Sequence, residues 1–413
     1  MRVLIVTQFF SPEIGATQTR LHTFAAGLAA RGHDVRVLCE VPNHPQGVVH
    51  PGFDGRAVVR GRMGEFGVNW VWVSTSQEKT TRSRLLFYGS FTGMAAALGA
   101  LLPRPDVIFA SSPPLPVGVA AALVAARHRV PWVLDVRDLW PDAAVALGEL
   151  SNPRLLRLAE RLERALYSRA SAITTVTEPF RQSIAAKTDP AKISLLPNGT
   201  TRFWLEADQV EPSRAELGLP AGRFVWTYAG NVGPAQGLEA AIDAAGELDD
   251  SYQLLVLGDG ASRAALMHRA RDLPPGRIEF RLQVQPVEAR GYLRASDCLL
   301  VPLADHASLR TFVPSKLFDC CAVGRPVILS AAGEPQRLAN EARAALPVDP
   351  GDPAGLAAAV RRLRGDEALR QELAKAGKLF ALAHLRDAQV ESLETVLSAA
   401  SRNSSPDKAA RAS

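Results

Sequence analysis

Two glycine-bearing turns follow predicted strands in the second half of the chain: Gly230-Asn231-Val232-Gly233, running on through Gln236-Gly237, and Gly258-Asp259-Gly260. Glycine lets a backbone approach a diphosphate closely, and the N–H groups of a following helix can donate to it. Neither turn is closed by Gly-Lys-Ser/Thr and neither has the Gly-x-Gly-x-x-Gly spacing, so each alone is equally a plain strand-to-helix turn. Together, on one edge of one sheet, they point to an anion-binding rim. A third signal lies at Pro314-Ser315-Lys316, which opens a helix that Gly324 ends. A lysine in a first helical turn opposes the helix dipole, and an anion docked there would account for Lys316. Asp319 falls one turn later on the same face, where a carboxylate can accept ribose hydroxyls; a solvated Lys–Asp pair is the plain alternative.

The first half carries its own candidates. Arg137 and Asp138 follow the apolar strand Trp132–Val136 directly. At the carboxyl end of a strand such a pair suits proton transfer or contacts with sugar hydroxyls, or is simply a structural ion pair. His44 sits in the Pro-rich loop Pro42–Gly47, either as a turn residue or as a catalytic one. Gly15 ends the Ser11–Gly15 loop after the first strand and is expected on a cleft floor.

The elements that must hold these groups alternate. Val3–Thr7, Val35–Cys39, Asp106–Ala110, Trp132–Val136, Ala172–Val176 and Ile193–Leu196 are predicted strands, with helices Thr19–Arg31, Val117–Arg127 and Pro153–Arg169 among them. The pattern restarts after Asn198-Gly199 and a polar linker through Asp208 and Pro212. Strands Phe224–Ala229, Gln253–Leu257, Arg277–Arg281, Cys298–Pro302 and Pro326–Leu329 alternate there with helices Leu238–Leu248, Ser262–Arg271 and Lys316–Val323. Such alternation implies right-handed βαβ units on parallel sheets, with ligands at the carboxyl ends of the strands. The expected class is α/β: two facing Rossmann-like domains, 1–203 and 204–384, with a cleft between them. A helix over 385–402 is expected to cross back to the first domain, and 403–413 to be a disordered tail.

Length and composition fit that scheme. A chain of 413 residues, 47% hydrophobic and 22% charged, is globular and long enough for two domains. A net charge of +5, without an aromatic-interleaved basic stripe, argues against a nucleic-acid partner. Cys39, Cys298, Cys320 and Cys321 have no metal-ligand spacing and are expected as small core residues. The start Met1-Arg2-Val3-Leu4-Ile5-Val6 lacks the pattern of a signal peptide, so a cytoplasmic protein is expected. Leu85–Leu102 carries no charge and follows Lys79, Arg82 and Arg84. Its Gly and Ala content favours a buried or interfacial helix over a membrane span, and its basic flank suits peripheral docking on an anionic leaflet.

On these residues the chain resembles glycosyltransferase family 4, which has the GT-B fold, and within it the fucosamine-transferase-like branch that builds bacterial surface polysaccharides. The resemblance runs in order through Gln8–Gly15, Pro42–Gly47, Ser111–Pro116, Val136–Gly148, Pro197–Gly199, Tyr228–Leu238, Gly258–Gly260 and Pro314–Ile328. It implies retaining transfer of a sugar from a nucleoside diphosphate sugar to a glycan or lipid-linked acceptor. It also implies nucleotide in the second domain, acceptor in the first, and no metal or other cofactor. Three positions depart from the family pattern. Asn231 and Gln236 stand where a diphosphate-clamping Arg and Lys are common, which leaves Lys316, then Arg310, to supply charge. Thr311 and Asp319 correspond to a pair of glutamates eight residues apart. Arg137 stands where a His is common, and can stabilise a leaving phosphate but cannot shuttle a proton. The alternatives are a nucleotide-sugar 2-epimerase of similar architecture and a non-catalytic nucleotide-sugar-binding scaffold. A dehydrogenase is disfavoured because neither half has the Gly-x-Gly-x-x-Gly turn followed by an acidic residue.

Overall fold

The computed structural model describes every residue except Ile14, Pro45, Gln46, Lys79, Ala143, Ala144 and the segments 146–151, 207–211 and 404–413, together with the side chains of Thr81 and Asn403. The linker expected at Asp208 and the tail expected from 403 (beyond that residue itself) therefore lie outside the described residues. So do Lys79 and parts of the loops at Ser11–Gly15, Pro42–Gly47 and Val136–Gly148. The chain divides into two compact units, Met1–Pro197 with the segment from Arg386 onward, and Asn198–Leu385.

In the first unit the apolar runs become β1 (Arg2–Thr7), β2 (Asp34–Glu40), β5 (Val107–Ser112), β6 (Trp132–Val136), β7 (Ala172–Thr175) and β8 (Ile193–Leu195). Two strands that the sequence reading missed, β3 (Val58–Met63) and β4 (Phe66–Val71), complete the order β3-β4-β2-β1-β5-β6-β7-β8 among the described residues. All neighbours are parallel except β3 and β4, a hairpin turned at Gly64-Glu65 that pairs Met63 with Phe66. The expected fully parallel sheet thus has an antiparallel edge. Arg60 and Arg62 hid it, because β3 is mostly solvent-facing and interrupts the apolar run that marks a buried strand.

Helices α1 (Ala16–Ala30), α2 (Thr81–Leu101), α3 (Pro116–His128), α4 (Pro153–Arg169) and α5 (Glu178–Ala185) cover this sheet. Glycines set two of the helix contacts: a Cβ on Gly99 would lie 2.6 Å from Val124, and one on Gly118 would lie 2.9 Å from Leu166. The chain's last helix among the described residues, Arg386–Asn403, buries Val390, Leu393 and Leu397 in the core of this unit. Helix α2 buries Phe91, Ala95 and Leu98 and exposes Leu85 and Leu86, so it is a packed surface helix. Among the described residues no helix is long and apolar enough to cross a membrane.

The second unit holds one sheet of parallel strands, in the order β11-β10-β9-β12-β13-β14 among the described residues. These are β9 (Phe224–Ala229), β10 (Tyr252–Leu257), β11 (Ile278–Arg281), β12 (Cys298–Pro302), β13 (Val327–Ser330) and the short edge β14 (Leu346–Val348). In chain order its helices are α6 (Arg202–Leu205), α7 (Glu239–Glu247), α8 (Arg263–Arg269), α9 (Pro286–Ala295), α10 (Ser315–Val323), α11 (Glu334–Ala342), α12 (Pro353–Gly365) and α13 (Glu367–Ala383). The helix at the C-terminus of the chain is accordingly α14. Trp226, Leu254 and Leu300 face one core cluster of this unit, and Leu299, Val301 and Leu329 face another, so the central strands are buried on both sides. All four cysteines are buried and free.

Candidate active site

Both glycine turns of the second unit lie at the carboxyl edge of its sheet, after β9 and β10. They are zipped together by backbone: Gly230 N–H donates to Leu257 O, Val232 N–H to Asp259 O and Ser262 N–H to Val232 O, at 2.8–2.9 Å. Gly258 N–H in turn donates to Arg281 O at 3.0 Å, which extends the ladder to β11. The glycines are required by this geometry. Gly230, Gly258 and Gly260 have φ of 139°, 152° and 156°, and a Cβ on Gly258 would strike the Gly230 carbonyl oxygen. Gln236 turns back on its own loop, where its Oε1 accepts the Gly233 N–H at 3.1 Å. Gly237, at φ 58°, leaves room for Ala304. Asp259 is exposed, and its carboxylate accepts the Gly260 N–H at 2.8 Å.

Lys316 projects from the first turn of α10 over this rim. Its ammonium donates to the Tyr228 hydroxyl at 2.5 Å and stands 4.2 Å from the centre of that ring, while Tyr228 donates to the Asn231 carbonyl. A Cβ on Gly230 would collide with Lys316 Nζ. The lysine therefore already has a partner in the protein, one that its position against the helix dipole did not disclose. Burial draws its ammonium down to about 8, with Cys320 and Asp319 pulling the other way. Asp319 accepts the Thr200 hydroxyl at 2.8 Å, and Asn198 Nδ2 donates to Val313 O, so the Asn198–Thr200 segment is fastened beside Pro314 and Ser315. Thr311 turns its hydroxyl to Ser308 O, and Arg310 pairs with Asp305 at 3.0 Å on the surface. Lys316 thus brings a positive charge to the glycine rim, whereas Arg310 pairs with Asp305.

In the first unit Arg137 leaves the end of β6 and is nine-tenths buried. Its Nε donates to Ser111 Oγ at 2.8 Å and its Nη1 to Thr17 Oγ1, in the first turn of α1, at 2.7 Å. Gly15 is the N-cap of α1, where no side chain caps the helix and no acidic residue occupies the first turn. Burial lowers the guanidinium pKa, against the opposing charges of Asp135 and Asp138. Burial also raises the Asp138 carboxyl to about 6, against the Leu139 N–H and the charge of Arg137. His44 is exposed, but its backbone is fixed: Glu13 Oε1 accepts the N–H of both Asn43 and His44 at 2.7 Å. The sequence reading did not single out Tyr228, Glu13, or the Arg20, Ser111 and Thr174 partners of Asp135 as functional. Tyr228 and Asp135 look like ordinary strand residues until their neighbours are known.

Comparison with known proteins fits this arrangement. Residues 15–199 match the glycosyl transferase 4-like domain and residues 223–366 match glycosyl transferases group 1. The lipopolysaccharide core biosynthesis glycosyltransferase LpsD of Rhizobium meliloti is 35% identical over 63% of this chain and 76% of its own length. The protein provisionally named colanic acid biosynthesis glycosyl transferase WcaI, of Escherichia coli K12, is 28% identical over 80% and 83%. Among solved structures, Anabaena HepE in complex with UDP-glucose superposes with a TM-score of 0.71 at 16% identity, over 97% of this chain and 100% of that one. Two Rossmann-like sheets with ligand-type turns at their carboxyl edges, matched in order by both domain models, make this chain a glycosyltransferase of the GT-B fold, a member of the family that pairs a glycosyl transferase 4-like domain with a glycosyl transferases group 1 domain.

Proposed function

We propose that the protein moves a sugar, with retention at the anomeric carbon and without a metal, from a UDP-linked donor to a hydroxyl of a lipid-linked intermediate in surface polysaccharide synthesis. The observation that carries the donor site is the Cβ-free floor at Gly230 lying directly under the Lys316 ammonium, with Gly258 and Gly260 hydrogen-bonded alongside. A diphosphate suits such a floor, since a backbone without Cβ lets it approach closely and one ammonium can oppose its charge. UDP and UDP-glucose in the HepE structures, and the polysaccharide names of the relatives, support the substrate class.

In this reading the bond from the anomeric carbon to the β-phosphate oxygen breaks while the acceptor oxygen bonds to the same face of that carbon. The acceptor proton passes to the departing phosphate oxygen. Lys316 opposes the charge on the leaving diphosphate from the second unit, since the Gly233 N–H expected to share that task is taken by Gln236 Oε1. Arg137 and the uncapped start of α1 at Gly15 are assigned the same task in the first. Asp138 and His44 orient the acceptor, Asp319 takes a ribose hydroxyl, and Pro314 and Ser315 line the donor.

Unfolding midpoints measured with UDP, UDP-glucose and GDP, with and without EDTA, test the donor site. At ~100 times its dissociation constant a ligand stabilises by about 2.7 kcal/mol, and the expected result is a shift with UDP ligands that EDTA leaves intact. No shift with any nucleotide would overturn the transferase reading in favour of a scaffold that kept the fold and lost the donor site, and loss of the shift in EDTA would overturn metal independence. The acceptor side is assigned to the cytoplasmic leaflet, with exposed Leu85 and Leu86 beside Arg82 and Arg84 on α2 as the contact. Sedimentation with vesicles containing phosphatidylglycerol, but not with neutral ones, is expected, and Leu85→Ser/Leu86→Ser should lose it. Equal recovery with both vesicle types removes that contact.

A further inference from the structure

Beneath Arg137 lies a charge cluster that the transfer scheme does not yet use. Arg20, Asp135 and Arg137 have side chains 2%, 0% and 10% exposed, so two guanidiniums share one carboxylate inside the unit. Each oxygen of Asp135 accepts a hydroxyl, Oδ1 from Thr174 at 2.8 Å and Oδ2 from Ser111 at 3.0 Å. The guanidiniums stand on either side, Arg20 at 3.5 Å from Oδ1 and Arg137 at 3.6 Å from Oδ2. Arg20 directs its Nη1 and Nη2 to the carbonyls of Pro197 and Leu196, both at 2.7 Å.

The chemistry of Ser111 fixes the direction of the link. A hydroxyl has one hydrogen, and a carboxylate can only accept. The Ser111 hydrogen is therefore committed to Asp135, which leaves its lone pairs for the N–H of Arg137 Nε. With Thr17 taking Nη1, the guanidinium plane is held at two corners. Its third nitrogen, Nη2, is buried and makes no hydrogen bond within the protein. Asp138 also opposes the charge of Arg137, and Arg386 repels Arg20, so the cluster sets several charges against one another where little solvent screens them. Arg20 satisfies Nη1 and Nη2 on carbonyls, whereas Arg137 bonds through Nε and Nη1 only.

We infer that Asp135 is a positioning residue for the transfer reaction, acting through the Ser111 hydroxyl to hold the Arg137 guanidinium, whose charge opposes that growing on a phosphoryl oxygen of the leaving group. This rests on the role given to Arg137 above. Charge on that oxygen grows as the glycosidic bond breaks, so a displaced guanidinium lowers kcat more than it raises donor KM. Replacing Asp135 itself removes the carboxylate between two buried guanidiniums and endangers folding. Ser111→Ala cuts the link and keeps all three charges.

The experiment measures nucleoside diphosphate release from the nucleotide-sugar that shifts the unfolding midpoint most, in wild type, Ser111→Ala, Arg137→Met and the double variant. Ser111→Ala is expected to lower kcat about tenfold or more, the scale of a misplaced catalytic contact. Donor KM should stay within about threefold. In the Arg137→Met background the same change should cost less than about twofold, because the residue it positions is gone. An equal loss in both backgrounds makes Ser111 merely structural and overturns the inference. So does wild-type turnover in Ser111→Ala when Arg137→Met is crippled. Wild-type turnover in Arg137→Met instead removes the role of Arg137 itself, and the inference with it.

Discussion

Burial moves the ionisation of Asp138 up to about 6 and that of Lys316 down to about 8, which brackets neutral pH. The two shifts share a cause and act in opposite directions, because loss of water disfavours the charged form of each. In the proposed reaction both groups work charged. Below pH 6 the Asp138 carboxylate takes up a proton, and above pH 8 the Lys316 ammonium gives one up. The expected profile of kcat/KM is a bell centred near pH 7, falling toward about tenfold per pH unit well beyond either value, the slope of one proton. Lys316→Arg should carry the alkaline limb beyond pH 9, and Asp138→Asn should remove the acid limb. Limbs unmoved in these variants would assign the ionisations to other groups.

At the scale of elements, the donor rim depends on backbone as much as on side chains. The turns after β9 and β10 meet because Gly258 and Gly260 carry no Cβ to hit Gly230 and Val232. Both also occupy positive φ, where any L side chain is strained. Gly258→Ala is expected to destabilise the second unit by about 1–3 kcal/mol in urea unfolding, and to abolish the shift with UDP. Gly89 is a useful contrast. It lies inside α2 with nothing within 4 Å of a Cβ, so Gly89→Ala should stabilise by about 0.5–1 kcal/mol. If Gly258→Ala is as benign as Gly89→Ala, the close approach of the two turns does not determine the rim.

For the whole molecule, the path of the chain matters. It leaves the first unit after Pro197, builds the second, and returns at Arg386 to complete the first. Helix α14 supplies fully buried Leu393 and Leu397, approaches α1 at Gly27 through Val390, and pairs Glu394 with Arg31 and His33. Most of that docking energy is apolar, since exposed ion pairs contribute little. Leu393→Ala should cost about 2–5 kcal/mol, and Glu394→Ala no more than about 1. With two unfolding transitions resolved by calorimetry, Leu393→Ala should lower that of the first unit alone. A drop confined to the other transition would contradict the assignment of α14.

Much of this architecture was legible along the chain. Short apolar runs rich in Val and Ile or aromatic residues, such as Val3–Thr7 and Phe224–Ala229, read as buried strands, and the helices between them favour parallel pairing, so the α/β class followed from the alternation. The glycine turns and the Pro314–Lys316 helix start were likewise visible, because Gly, Pro and first-turn positions have local backbone meaning. The β3–β4 hairpin was not: its strands are held by pairing with β2 and each other, and β3 carries exposed arginines. Nor could the sequence pair Lys316 with Tyr228, Asp319 with Thr200, or Asp135 with Arg20 and Ser111. These partners lie between 24 and 119 residues apart or, for Arg20, 115 residues upstream (135 − 20), and meet only where neighbouring strands and helices bring them together. Local sequence determined which backbone each segment adopts. Tertiary structure alone decided which charges face one another and how far burial shifts them, since both depend on neighbours remote along the chain.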